Sequence, residues 1–201
     1  MISRGDAERS LTGVWRIFLN KPDALRFLDT SADGFWRSFG AIMLVAPLYA
    51  ITALADWRDM HAGSLADDKL TGGSYFVAKL LTLGLDWVTL PALLGLVAGL
   101  IGIRRGYPAY VVARNWGTVL TIIPFAGIAV LDLLGILGPG LLFLPSIVAL
   151  AAALRFSYLV ARQTLGVGMD VAIGLVALDF LVSLALVTVI DQIFGVPQFA
   201  G

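Results

Sequence analysis

The 201-residue chain contains no cysteine and a single histidine. The absence of cysteine excludes disulfide bonds, thiolate metal sites and a cysteine nucleophile. The histidine, His61, lies between Asp59 and Asp67 at a spacing that matches no established metal-ligand pattern. A glycine-rich phosphate loop, an HExxH motif and a Ser–His–Asp set are also missing. We therefore expect neither an enzyme nor a bound metal or cofactor.

Charge is scarce as well, at 14% of residues, and the formal net charge is zero. Without an excess of positive charge there is no electrostatic attraction for nucleic acid, which we do not expect as a partner.

The residues directly behind Met1 are polar and charged, so the apolar core of a signal peptide is missing. We expect the N-terminus to stay in the cytoplasm. The preference for arginine over lysine favours a GC-rich bacterial genome.

Apolar residues are present in excess. They make up 59% of the chain, and the mean hydropathy is +0.89. A soluble domain is about half apolar and about a quarter charged. A chain of this size cannot bury so many apolar residues in one core, so lipid must be part of its surroundings. The composition predicts an all-α integral membrane protein in contact with the lipid bilayer.

A membrane-spanning helix needs about 20 mostly apolar residues. Five stretches of the sequence qualify as transmembrane helices: 39–55, part of 75–103, 109–132, 141–162 and 171–194. We predict a cytoplasmic or interfacial amphipathic segment over 1–38, a five-helix transmembrane domain over 39–194 and an outer tail over 195–201.

The basic residues predict the orientation, because short cytoplasmic loops are rich in lysine and arginine. The segments on the side of the N-terminus carry nine basic residues: Arg4, Arg9, Arg16, Lys21, Arg26, Arg37, Arg104, Arg105 and Arg162. The segments on the other side carry two, Arg58 and Lys69. The sequence therefore predicts a multi-pass protein of the bacterial inner membrane with a cytoplasmic N-terminus and an outer C-terminus.

The N-terminal segment has the pattern of short amphipathic helices. Its apolar residues share one helical face: Leu11, Val14, Trp15 and Phe18. Pro22 then begins a second short helix that carries Leu25 and Leu28. We expect these helices to lie in the headgroup layer with the apolar face towards the lipid. The alternative is a docking surface for a cytoplasmic partner.

Arg155 and Asp179 are charged residues inside predicted spans, where charge is costly and marks a candidate site. Arg155 precedes Arg162 by seven residues, which places it about 10 Å into the fourth helix. Asp179 follows Val171 by eight residues, about 12 Å into the fifth helix. Because these helices are antiparallel neighbours, we predict that Arg155 and Asp179 form a structural ion pair. The alternatives for Arg155 are snorkelling to the headgroups and contact with a substrate.

Three further charged residues are candidates for polar contacts within the bundle. Arg114, near the cytoplasmic end of the third helix, should reach the headgroups or join Asp179. Lys79 and Asp86 are seven residues apart and share one face of the second helix. Asp86, Asp179 and Asp132 are compatible with a proton or cation path, although most of the acidic residues lie near an interface.

Gly95 and Gly99 have the small-xxx-small spacing that allows close approach of two helices. We expect this pair to serve packing within the chain. The alternative is the interface of a homo-oligomer.

Two segments carry a resemblance to a known family. They are DGFWRSFGAIMLVAP at 33–47 and GYPAYVVARNWGTVLTIIPF at 106–125, which has aromatic residues ahead of a mid-helix proline. With five close-set spans, residues 33–194 resemble the Yip (Ypt/Rab-interacting protein) domain family in its small bacterial form. The eukaryotic members act in vesicle trafficking and bind prenylated small GTPases, so the resemblance implies a membrane adaptor or organiser. Their long acidic N-terminal tail is absent here, so GTPase binding is not carried over and no site residue transfers.

Our first functional hypothesis is a scaffold, assembly factor or accessory subunit that binds other membrane proteins or a second copy of itself. The alternative is a small-solute or ion transporter that uses Asp86, Asp179 and Arg155. A membrane-embedded enzyme acting on lipid is a third hypothesis.

Overall fold

The computed structural model describes residues 4–62, 70–136 and 139–197, and these residues form helices without any strand. The seven α-helices in this part of the chain are α1 (Arg4–Phe18), α2 (Ala32–Ser38), α3 (Ile42–Ala62), α4 (Gly72–Val97), α5 (Tyr107–Leu133), α6 (Pro139–Leu165) and α7 (Met169–Phe194). Short 3₁₀ turns at Ala24–Phe27 and Phe39–Ala41 join the first three. Asp67 and residues 198–201 of the predicted outer tail lie outside the described residues.

Among the residues that the structure describes, five helical segments are long and apolar enough to cross a membrane, which confirms the predicted number of spans and the all-α class. The first of them runs through α2 and α3, from Ala32 to Ala62, and the others correspond to α4 to α7. The second span, predicted as part of 75–103, corresponds to α4, which begins three residues before that stretch. Helix α4 ends at Val97, and the chain then turns through Gly102, whose positive φ of 75° suits glycine. The residues of this turn are apolar, so hydropathy alone did not separate it from the helix.

Helix α5 occupies the centre of the bundle and packs against α1, α2, α3 and α6. Its buried residues include Val111, Ala113 and Trp116, which belong to the main core. Gly117 faces α6 so closely that a Cβ atom at this position would overlap the ring of Phe156. The glycine therefore sets the distance between α5 and α6 and fixes the position of that ring.

Helix α1 is packed onto this bundle, with contacts to α5 and α6. Val14 and Ile17 are completely buried in the main core, whereas Trp15 is half exposed. The predicted lipid-facing side of α1 is therefore divided, because Val14 packs inwards and Trp15 outwards. The predicted second short helix after Pro22 is only the 3₁₀ turn Ala24–Phe27.

Ion pairs hold the N-terminal segment together. Arg16 contacts both carboxylate oxygens of Asp23, with an Nη2–Oδ1 distance of 2.7 Å. Arg37 on α2 donates to Asp29 at 2.5 Å and lies 3.4 Å from Asp6 on α1. The pKa of Asp29 lies below its ordinary value. Hydrogen bonds from Ser31 contribute most to this lowering, and the guanidinium of Arg37 contributes less. These contacts couple the orientation of α1 to that of α2.

This coupling predicts a modest acid sensitivity. Because the pKa of Asp29 is lowered in the folded protein, its stabilising contribution is present above the unfolded pKa of about 3.9 and is lost as the pH falls through the folded value. At pH 6, Asp29→Asn should lower the free energy of unfolding by up to about 1 kcal/mol, since 39% of each side chain in the Asp29–Arg37 pair is exposed and solvent screens the interaction. Thermal unfolding of both proteins at pH 6 and pH 3 measures this. A difference as large at pH 3 as at pH 6 would contradict the assignment.

Candidate intramembrane site

Arg114 is the centre of a charged cluster inside the bundle. It lies seven residues after Tyr107, about 10 Å along α5, and its side chain is only 11% exposed. Its Nη2 atom is 2.9 Å from Oδ1 of Asp179 on α7 and 3.4 Å from Oδ2 of Asp86 on α4. One guanidinium thus joins three helices and faces two carboxylates.

The two carboxylates are not equivalent. Asp179 is closer to Arg114 and more buried, with 22% of its side chain exposed against 31% for Asp86. The other oxygen of Asp86 accepts a hydrogen bond from the hydroxyl of Ser183 on α7. Two carboxylates and one guanidinium leave the cluster with one excess negative charge when both acids are ionised.

Arg155 is not a member of this cluster, so the predicted Arg155–Asp179 pair was wrong. Its guanidinium donates to the backbone carbonyl of Phe18 at 2.9 Å and lies 5.4 Å from the centroid of the Phe18 ring. Arg155 is exposed on the face of α6 that receives α1, whereas Phe156 is buried on the side of α5. The depth estimate was compatible with the pair, but it contained no information about the rotation of α6. The alternative partner for Asp179, Arg114, is confirmed.

The ion-pair partner of Lys79 is Asp191 and not Asp86. Its Nζ atom is 3.1 Å from both carboxylate oxygens of Asp191 on α7. The side chains of Lys79 and Asp191 are 14% and 9% exposed, respectively. Asp86 follows Lys79 by two helical turns, about 10 Å along α4. The predicted common face is confirmed, because both residues contact α7.

Of the two glycines at the small-xxx-small spacing, Gly95 and Gly99, only Gly95 lies at a close contact between helices. A Cβ atom at Gly95 would lie 3.0 Å from the hydroxyl oxygen of Tyr107, which itself donates to the carbonyl of Pro91 at 2.8 Å. Gly99 lies beyond the end of α4, and a Cβ atom there would meet nothing within 4 Å. The predicted close packing therefore applies to Gly95 but not to Gly99.

A cavity of about 170 Å³ adjoins the charged cluster between α4, α5, α6 and α7. Its lining is mostly polar and consists of Asp86, Tyr110, Arg114, Thr118, Thr121, Phe156, Ser157, Val160, Asp179 and Ser183. Because the cavity and the cluster share Asp86, Arg114 and Asp179, we treat them as one candidate site, the central cavity.

Several polar atoms in the lining have no partner within the described part of the chain. The hydroxyls of Tyr110 and Ser157 make no hydrogen bond there, and neither does the second oxygen of Asp179. Tyr110 is nevertheless only 4% exposed. The buried Nε atom of Arg114 is also without a partner. Buried polar groups are normally hydrogen-bonded, so this cavity is suited to a polar occupant.

Sequence reasoning did not identify Tyr110, Ser157 or Ser183 as site residues. Single hydroxyl residues are common in membrane helices, where they bond to the preceding turn of their own helix. Thr118, which donates to the carbonyl of Arg114, follows that rule. A hydroxyl that bonds elsewhere is distinguished only by the neighbouring helix, which the sequence does not reveal.

Two larger cavities lie towards the opposite end of the bundle. A cavity of about 380 Å³ between α3, α5 and α6 is lined by Tyr49, Asp56 and Asp132, among others. A cavity of about 370 Å³ between α3, α4 and α7 is lined by Asp56 together with the Lys79–Asp191 pair. The second of these cavities lies along the same α4–α7 interface as the central cavity, about two helical turns from it.

No protein-family model, no curated protein and no solved structure matches the chain. Within residues 4–62, 70–136 and 139–197, no group of three or more His, Cys, Asp or Glu side chains is placed to hold a metal ion.

Proposed function

We propose that this multi-pass protein is a membrane carrier for a small polar solute, with the central cavity as its binding site. The observation that supports the proposal is the excess carboxylate at the cavity. A pair that only fastens two helices needs one carboxylate for one guanidinium, and it needs no adjacent space. Here a second carboxylate, Asp86, faces the same Arg114 beside an open volume of about 170 Å³.

The energetic cost of the buried charges supports the same function. Charged side chains within a membrane are costly, and those that persist generally face the bundle interior or a water-filled cavity on a substrate or ion pathway. The hydroxyls of Tyr110 and Ser157, which make no hydrogen bond within the described part of the chain, add to this cost unless water or a solute bonds to them. A site that exchanges water and solute with the outside offsets this cost.

For the orientation in the membrane, we propose a cytoplasmic N-terminus and an outer C-terminus in a bacterial inner membrane. The supporting observation is the distribution of lysine and arginine among the segments between the spans. In this orientation, the central cavity lies nearer the cytoplasmic side and the Lys79–Asp191 pair lies nearer the outer side.

Membership of the Yip domain family remains a prediction that is compatible with five spans.

The native chain has no cysteine, which permits a direct test of the carrier proposal. Thr121→Cys places a single thiol in the lining of the central cavity. We expect this thiol to react with a membrane-impermeant methanethiosulfonate reagent in sealed vesicles. A carrier should allow the reaction from both sides of the membrane, because it opens to each side in turn.

Three control variants make the labelling interpretable. Leu80→Cys places a thiol on an exposed apolar position of α4 and should not react. Gly5→Cys and Gly201→Cys report the two sides and should react from inside and outside, respectively. If the thiol at position 121 reacts from neither side, the carrier proposal is wrong. Stoichiometric co-purification with another membrane protein would then favour the scaffold or accessory-subunit hypothesis.

A further inference from the structure

We infer that the solute bound in the central cavity is a small primary ammonium ion, an inference that rests on the proposed carrier function for its choice of site. Three observations converge on this class of ligand. They are the charge of the cluster, the unpartnered oxygen atoms and the volume of the cavity.

The charge of the cluster selects for a cation. When both acids are ionised, Asp86 and Asp179 carry two negative charges, and Arg114 compensates one of them. In a site of low dielectric constant the remaining charge is not screened as it is in water. An anionic ligand would increase the imbalance, whereas a ligand with one positive charge removes it.

The unpartnered oxygens favour a ligand with N–H donors, because each of them can accept a hydrogen bond. They come from three helices: Tyr110 on α5, Ser157 on α6 and the second oxygen of Asp179 on α7. An ammonium group has three donors and no acceptor, so it can bond to several such oxygens at once. A quaternary ammonium ion has the same charge but no N–H donor. The same oxygens could bind an alkali ion, so size must decide between the two.

The volume favours an organic cation over a bare ion. The cavity of about 170 Å³ is comparable to one of about 150 Å³ that accommodates benzene. A proton or a sodium ion would leave most of this space unfilled. Phe156 and Val160 provide an apolar part of the lining for the carbon atoms of the ligand. A primary amine with a short carbon chain matches all three features.

The test is equilibrium binding of radiolabelled methylammonium to the purified full-length protein in lipid nanodiscs at pH 7. We expect saturable binding with one site per chain. Propylammonium should displace the label at similar or lower concentration, because it fills more of the cavity. Tetramethylammonium and sodium should each be at least about tenfold weaker competitors, since neither donates a hydrogen bond to the charged site.

Two variants and a matched control connect the binding to the site. Tyr110→Phe removes one hydroxyl and should weaken methylammonium binding by about tenfold. Asp86→Asn is nearly isosteric and keeps the Arg114–Asp179 pair. It should weaken methylammonium binding further, because the excess negative charge is gone. Tyr158→Phe is the matched control: it also removes a tyrosine hydroxyl, but Tyr158 lies on α6 outside the cavity lining. This variant should leave the affinity for methylammonium unchanged. Circular dichroism of each variant verifies that the helices are retained.

The inference is wrong if methylammonium does not bind saturably, if sodium displaces it as well as propylammonium does, or if Tyr110→Phe and Tyr158→Phe have equal effects. These outcomes are distinguishable from failure of the proposed function. A thiol at position 121 that reacts from both sides, without methylammonium binding, would keep the carrier and exclude this ligand. Methylammonium binding with an inaccessible thiol would show a cation site in a protein that is not a carrier.

Discussion

Replacement of Arg114 by methionine should lower the free energy of unfolding by about 3 to 5 kcal/mol. Methionine keeps much of the length and volume of the side chain, so the principal change is the loss of the guanidinium. Asp86 and Asp179 then face each other within the bundle without a compensating charge. The expected loss is large because a buried charge is left without its partner.

Denaturant unfolding of the purified protein, followed by far-UV circular dichroism, measures this loss. Arg155→Met is the matched control, because it deletes the same group at a charged position on a neighbouring helix. Arg155 is exposed and donates to the carbonyl of Phe18, so its replacement should cost about 1 kcal/mol or less. Equal losses for the two variants would contradict the central role of Arg114.

A double-mutant cycle separates the two arginines further. Asp179→Asn should be strongly non-additive with Arg114→Met, because the two residues form one ion pair. It should be additive with Arg155→Met, because these residues share no contact in the described part of the chain. Coupling of Asp179 to Arg155 instead would restore the pair that the sequence alone predicted.

The depth of these charges could be predicted from the sequence, but their partners could not. Counting residues at 1.5 Å each gives the position of a side chain along the helix axis. Its direction around the axis follows from a polar stripe, and α6 and α7 are apolar on nearly all sides. Arg155 and Arg114 were therefore both possible partners of Asp179. The packing of α1 against α6 decided between them.

The helix neighbours were also underdetermined. The sequence suggested that α7 pairs with α6, because the two are consecutive and joined by a short loop. In the structure α7 also packs extensively against α4. The contacts Asp86–Ser183 and Lys79–Asp191 both lie along that interface. Lys79 and Asp86 were correctly placed on one face, and the missing information was the identity of the helix opposite.

Lys79→Met should lower the free energy of unfolding by about 3 kcal/mol at neutral pH. The substitution leaves Asp191 without its cation at a position where only 9% of its side chain is exposed. The lost contact of the Lys79 ammonium with the Tyr75 ring, 5.3 Å from its centroid, adds a smaller amount. Denaturant unfolding measures the effect. Lys21→Met, at an exposed position outside the spans, serves as the control and should change stability by no more than about 0.5 kcal/mol.

A second substitution tests the mechanism of this loss. If the destabilisation arises from an unpaired carboxylate, Asp191→Asn should recover most of it in the Lys79→Met background, because asparagine carries no charge into the buried site. Asp191→Asn alone should be destabilising, since it leaves the Lys79 ammonium unpaired in turn. Failure of the double variant to recover stability would mean that Lys79 acts through packing of its aliphatic chain. Recovery would instead identify the pair as an electrostatic contact that fastens α4 to α7, two of the four helices that line the central cavity.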